Sequence, residues 1–150
     1  MSVEFYSKVL PDEGTYCVAV LPAGEGQRMR HIFVDSIDEL VDRVEERKHD
    51  SHVFIGMANF DGHSRKNAKS LKSFFVDLDV GDTKEFSSQE EAVNALGKFI
   101  QSQQLPPPVV VDSGNGIHAY WMLDTAVPVE EWKLYADKFK QLCIDNGLQI

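Results

Sequence analysis

Apolar and polar positions follow two periods along this chain, and the two periods separate strands from helices. Thr15–Leu21 (TYCVAVL) and Arg30–Val34 (RHIFV) are rich in β-branched and aromatic residues and flank the turn-rich Pro22–Gln27, which predicts a hairpin. Ser36–Lys48 predicts a helix, with Ile37, Leu40, Val41 and Val44 on one face and Ser36 and Glu39 in capping-box spacing. His52–Ala58 (HVFIGMA) predicts a strand, His63–Lys72 a basic loop, and Ser73–Val80 (SFFVDLDV) a further strand. After a loop at Gly81–Ser87, Ser88 and Glu91 open a second capped helix running to about Gln104. Its buried face is Ala92, Val93, Leu96, Phe99 and Ile100, and Pro106–Pro108 end it.

Val109–Asp112 predicts a short strand, Ser113–Gly116 a tight turn and Ile117–Leu123 the returning strand. Pro128 suits the first turn of a last helix with the stripe Trp132, Ala136, Phe139, Leu142 and Cys143, stopped at Gly147. The order β-β-α-β-β-α-β-β-α predicts an α/β (α+β) fold with a mixed or antiparallel sheet flanked by helices. So many consecutive strands exclude simple parallel winding.

Composition narrows the class. A chain of 150 residues, 43% hydrophobic and without repeats, reads as one continuous globular domain. Apolar runs such as Phe74–Val76 and Val109–Val111 are too short to cross a bilayer, and residues 1–8 have no secretory pattern. Cys17 and Cys143 are far apart and outside metal-ligand spacing, as are the five histidines, so a reduced, cytoplasmic setting is expected. The net charge of −9 argues against a protein that coats duplex DNA by charge alone. Yet much of the acid lies in Asp35–Asp50, whereas His63–Lys72 carries Arg65, Lys66, Lys69 and Lys72 and no acidic residue.

That basic stretch leads into the first candidate site. Strand alternation places Asp77 and Asp79 on one face, with Val76, Leu78 and Val80 on the other. Two adjacent carboxylates repel, and a hard divalent cation such as Mg²⁺ relieves the repulsion while keeping positions open for phosphate and water. A pair of such ions can activate an attacking hydroxyl and stabilise a leaving pyrophosphate. The plainer account is an edge strand whose solvent face is acidic, because Asp-x-Asp is common.

The second candidate is Ser113-Gly114-Asn115-Gly116-Ile117-His118. Two glycines around Asn115 permit positive φ and close backbone approach, and turned amides form anion-binding concavities that the Ser113 hydroxyl can extend. His118 shares a strand face with Tyr120 and can donate to phosphate oxygens. The plainer account is a β-hairpin, for which Asn-Gly is a strong signal. The string opens a strand, so it matches neither a Rossmann fingerprint nor a Walker A loop.

Together, Val76-Asp77-Leu78-Asp79-Val80 and Ser113-Gly114-Asn115-Gly116-Ile117-His118-Ala119-Tyr120-Trp121 resemble motifs I and II of the archaeo-eukaryotic primase superfamily. The resemblance is to the primase-polymerase module of phage and plasmid replication proteins, and the Arg65-Lys66-Asn67 stretch before motif I is similar too. It implies an RRM-like catalytic module preceded by an N-terminal α/β unit. The implied activity is two-metal nucleotidyl transfer that makes primers on a single-stranded DNA template, in a bacterial or phage-infected cell. By position, Asp77 and Asp79 would hold Mg²⁺ or Mn²⁺. Ser113, Gly114, Asn115, Gly116, His118, Tyr120 and Lys72 would hold a nucleoside triphosphate, with His118 also counted in the catalytic set. Arg65, Lys66 and Lys69 would meet template or phosphate. A helicase domain or subunit is the expected partner, and no membrane is.

One departure from the family pattern stands out. The family's third carboxylate follows the helix after motif II, where this sequence reaches Leu148–Ile150, and Asp124 and Asp145 are in the wrong setting. A fragment cut before its third acidic motif, or a native short form lacking complete metal ligation, is the expectation, weakly active or inactive alone. Two rivals remain. Asp79-Val80-Gly81-Asp82-Thr83 faintly echoes an Asp-x-Asp metal-dependent phosphatase of the haloacid-dehalogenase type, although Val80 intrudes and its later motifs lack room. The other is a nucleotide- or single-strand-binding module that kept the fold without turnover.

Overall fold

The predicted first hairpin is present and gains a third strand. In the computed structural model, which describes residues 2–150, β1 (Tyr16–Pro22) lies between β2 (Arg30–Val34) and β3 (Ser51–Ile55), antiparallel to both. Val18 stands opposite Ile32 and Ile55, and Ala19 opposite His31 and Phe54. The even positions Tyr16, Val18, Val20 and Val34 are buried, as is Leu40 of α2 (Ile37–Arg47), which contacts all three strands. Ser36 Oγ accepts from Glu39 N at 3.1 Å, the cap expected from spacing.

Pattern reading missed α1 (Val3–Val9), which packs on α2 and buries Tyr6 and Val9. Seven residues are too few to display a helical period; Ser2 Oγ starts the helix by accepting from Phe5 N.

Three boundaries differ from expectation for identifiable reasons. His52–Ala58 is two strands, since β3 pairs with β1 whereas β4 (Ala58–Phe60) pairs with β5. Gly56 sits at the break, donating its N–H to Cys17 O at 3.0 Å. The basic stretch is not a loop throughout: a 3₁₀ turn at Arg65–Asn67 leads into β5 (Ala68–Asp79), so Lys69 and Lys72 are strand residues. Pairing with β4 and the bond from Ser70 N to Asn59 Oδ1 (2.9 Å) override the polar composition there. Pro128 closes the long β7 (Gly116–Pro128) rather than starting the last helix, a strand end being a place where a missing N–H is tolerated.

The second sheet has the order β4-β5-β7-β6, with β6 (Val109–Asp112) antiparallel to β7. Two helices complete the set, α3 (Gln89–Gln103) and α4 (Val129–Asp145). The chain divides into two compact units: the residues through Lys72 with Asp124–Trp132, and Ser73–Leu123 with Lys133–Ile150. In the first, Cys17, Ala58, Phe60 and Leu71 form a small core with Phe33 and Trp132 against it.

In the second unit, Val76 and Leu78 of β5 and Ile117, Ala119 and Trp121 of β7 pack with Ala92, Leu96 and Phe99 of α3 and Cys143 of α4. Each fully buried large aliphatic here contributes about 1.5–3 kcal/mol. Val93, expected on the buried face of α3, is instead exposed, because Ala92, Leu96 and Phe99 define the stripe and Val93 falls outside it. Trp121 Nε1 donates to Pro106 O at 2.8 Å, fixing the tryptophan within this core. With Val76 and Leu78 anchored inward, strand alternation turns Asp77 and Asp79 outward.

Candidate active site

The carboxylate pair and the glycine-histidine turn meet. Asp77 and Asp79 project from one face of β5 with their side chains 61% and 58% exposed. His118, near the start of β7, places Nε2 3.4 Å from Asp77 Oδ1. Its other ring nitrogen, Nδ1, lies 3.2 Å from the Tyr120 hydroxyl. The Asp77 carboxylate can only accept and the Tyr120 hydroxyl can donate, so a neutral imidazole in this position would carry its proton on Nε2. Tyr120 is itself buried and packs against Phe75.

The turn is welded to the end of β5. Asn115 O accepts from Val80 N at 2.8 Å, one residue past Asp79. Gly116 is required by close approach rather than by dihedral freedom: a Cβ there would overlap the Leu78 carbonyl oxygen and come within 3.1 Å of Asp79 Cα. Gly114, at φ +87°, takes the left-handed conformation that the turn needs. The two glycines therefore do different work, and the space left by Gly116 is filled by the protein's own backbone rather than by a ligand. The turn amides are also partly committed. Ser113 N donates to Gly116 O (3.0 Å) and Gly114 N to Asp112 Oδ1 (2.8 Å), so those two N–H groups are used within the turn.

Sequence reading missed three contributors. Gln89, at the start of α3, donates from Nε2 to Gly116 O (3.0 Å) and toward Asp112 Oδ1 (3.4 Å), bracing both arms of the turn. Its Oε1 is buried without a hydrogen-bond partner. Asp112 caps Gly114 as described, and Lys84 brings Nζ within 3.8 Å of Asp79 Oδ2. Lys84 arrives there because Gly81 N bonds Phe86 O and Lys84 N bonds Gly81 O, folding the predicted loop tightly. Only the helix start hinted at Gln89, and nothing in residue spacing pointed to Lys84.

The expected basic contacts belong to the first unit. Lys72 is 13% exposed and its ammonium rests on Asp12 Oδ1 at 2.8 Å, while Lys69 approaches Asp61 at 3.9 Å. Arg65 and Lys66 are exposed in the 3₁₀ turn.

Among the described residues, no group of three or more His, Cys, Asp and Glu side chains is placed to hold a metal by itself. Two exposed carboxylates on one strand face nevertheless suit a hard cation that completes its shell with water and substrate phosphate oxygens. Among the described residues no helix is long and apolar enough to cross a membrane.

No protein-family model and no curated protein sequence matches the chain. A solved structure does: the AEP domain of the cyanophage S-2L primase-polymerase (PrimPol), with a TM-score of 0.58 and 19% sequence identity. The match covers 91% of this chain and 66% of that one. At this identity the likeness is one of fold, and it agrees with the α+β architecture of antiparallel pairs and flanking helices described above. The chain has the fold of an archaeo-eukaryotic primase-polymerase domain.

Proposed function

We propose that the chain is a template-directed nucleotidyl transferase, a primase-polymerase that extends or starts primers on single-stranded DNA within a phage or plasmid replication protein. One observation carries this reading: on a primase-polymerase fold, the Asp77–Asp79 face and His118 are held together, Nε2 being 3.4 Å from Asp77. Asp77 and Asp79 would hold Mg²⁺ or Mn²⁺, which when bound neutralises the triphosphate and lowers the pKa of the attacking hydroxyl. The chain's own residues bind and orient. His118 Nε2 turns from Asp77 to donate to a phosphate oxygen, while Tyr120 keeps the ring plane. Ser113 extends the same grip from the turn, and Lys84 is placed to accompany the charge that develops on departing pyrophosphate. A primer 3′-hydroxyl attacks the α-phosphorus, the bond to the β-phosphate oxygen breaks, and the hydroxyl proton passes to solvent.

A module that binds nucleotide without turnover is the second reading, favoured by the two-carboxylate donor set. Metal-dependent incorporation of labelled deoxynucleotide on a primed template separates the two. Incorporation lost on chelation supports transfer; nucleotide binding without incorporation supports the binding module; phosphate release without incorporation supports a phosphatase. Partnership with a helicase domain or subunit belongs to the same proposal and is tested by co-purification with the replication helicase.

A further inference from the structure

The outward face of β5 and β7 changes character along its length. On β5, Asp79 and Asp77 share that face with Phe75 and then Ser73, and on β7 His118 shares it with Tyr120. Val111 and Val109 of β6 stand opposite His118 and Tyr120, and opposed side chains on paired strands lie on one face. Two contacts align β5 with β7: His118 meets Asp77, and Tyr120 packs on Phe75 with ring centroids 6.2 Å apart. Charged and hydrogen-bonding groups therefore gather toward the glycine turn, where Ser113 lies and Lys84 reaches Asp79. One row farther from the turn, the face is aromatic and aliphatic: Phe75, Tyr120 and Val109.

Phe75 is not a core residue. Its side chain belongs to a residue 40% exposed, while Val76 and Leu78 on the opposite face are buried. Ser73, the next residue on the face of Phe75, is fully buried. The open floor beside the two acids thus ends at the Phe75 ring, and the buried Tyr120 backs that ring. Among the side chains of this row, Phe75, Tyr120 and Val109, the polar group is the Tyr120 hydroxyl, and it is engaged with His118 Nδ1 at 3.2 Å. Phe75 and Val109 offer a hydroxyl no partner.

A nucleotide is polar in the same sense, anionic at one end and flat and largely apolar at the other. With its α-phosphate at Asp77 and Asp79 and its outer phosphates toward Ser113 and Lys84, its sugar falls one row along the strand. Two strand residues advance about 7 Å, which is the reach from an α-phosphate across a pentose. We infer that Phe75 is the specificity residue that selects deoxyribose over ribose in the incoming nucleotide. The assignment rests on the proposed nucleotidyl-transfer function and adds to it the sugar the site takes. A 2′-hydroxyl pressed on the Phe75 ring loses water and gains no hydrogen bond, whereas the 2′-methylene of a deoxynucleotide packs on the ring. Selection thus comes from a polar group left unpaired in the wrong substrate, not from an added contact to the right one.

The test is a calorimetric titration of the full chain with dATP and with ATP, which differ by the 2′-hydroxyl alone, in the presence of Mn²⁺ and without template. The wild type binds dATP about tenfold more tightly than ATP, the effect of one unpaired hydroxyl. In Phe75→Ala the two affinities come within about twofold of each other, because ATP binds more tightly once water can reach its 2′-hydroxyl. Phe75→Leu keeps apolar packing on Tyr120 while withdrawing the ring, and it moves the ratio in the same direction, so the inference stays testable should the alanine variant unfold. Melting curves establish that each variant is folded. Equal binding of dATP and ATP by the wild type overturns the inference, as does a ratio unchanged in both variants. A ratio that falls only because dATP weakens also overturns it, since Phe75 would then be a plain contact. Binding of neither nucleotide by the wild type overturns it together with the functional reading. The titration needs no turnover. If the functional reading alone fails, incorporation is absent while the affinity ratio behaves as stated; if this inference alone fails, incorporation persists while the ratio ignores Phe75.

Discussion

Gly116→Ala examines the junction on which the candidate site depends. The added Cβ would overlap the Leu78 carbonyl oxygen, lie 3.0 Å from the Leu78 carbonyl carbon and lie 3.1 Å from Asp79 Cα. All three are backbone atoms of a strand whose Val76 and Leu78 side chains are anchored in the core, so no flexible side-chain tip can yield. Overpacking of this kind costs about 1–3 kcal/mol, and rigid backbone puts the cost near the top of that range. At roughly 2–4 °C per kcal/mol for a chain of this size, the melting temperature drops by about 6–12 °C. Activity falls further than stability, because relief of the clash must move Asp79 relative to the turn that presents His118. Gly114→Ala is the control: no atom lies within 4 Å of its Cβ, and only left-handed strain of about 1–2 kcal/mol is expected at φ +87°. Circular-dichroism melts and metal-dependent nucleotide incorporation on the two variants decide the matter. If Gly116→Ala melts within 2 °C of wild type (roughly the shift from 1 kcal/mol) and keeps its incorporation rate, the tight β5–β7 junction is not what positions the site.

Two further outcomes test neighbouring features. Gln89→Met removes two donated bonds worth about 1 kcal/mol each, but it also removes the orphaned Oε1, whose burial costs about as much. The melting temperature therefore changes little while KM for nucleotide rises; an unchanged KM would remove Gln89 from the positioning of the turn. Burial pushes the Cys143 thiol up to about 11, so the folded state favours the protonated form. Its stabilising contribution is complete below the unfolded thiol value of about 8.5 and is lost as pH climbs toward about 11. Urea titrations across that window should be flatter for Cys143→Ala, and an identical pH dependence would contradict the assignment.

How much of this was legible depends on the range of the interactions. Ser36 and Ser88 act locally, and their caps on Glu39 and Glu91 were readable from spacing. The alternation that turns Asp77 and Asp79 away from Val76 and Leu78 is a property of one strand, and it too was readable. The start of β5 was not, because Ala68–Lys72 reads as a polar, basic run and becomes strand through pairing with β4 and the Asn59 side chain. Gly116 was singled out as a ligand-facing glycine, whereas its partner is Leu78 O, 38 positions earlier in the chain, a contact no local pattern carries. Lys84 and Gln89 were missed for the same reason. Their roles arise from where a tight loop and a helix start deliver one long side chain.

The central claim is that Asp77 and Asp79 hold a divalent ion which the glycine-histidine turn serves by binding the triphosphate. Electron paramagnetic resonance titration of Mn²⁺, with and without a deoxynucleoside triphosphate, tests it most directly. The account predicts Mn²⁺ binding that tightens with nucleotide and is lost in Asp77→Asn with Asp79→Asn, variants whose exposed positions keep stability within about 0.5 kcal/mol of wild type. It further predicts that His118→Ala retains the metal while losing the tightening. Mn²⁺ binding in the double variant equal to that of the wild type would contradict it.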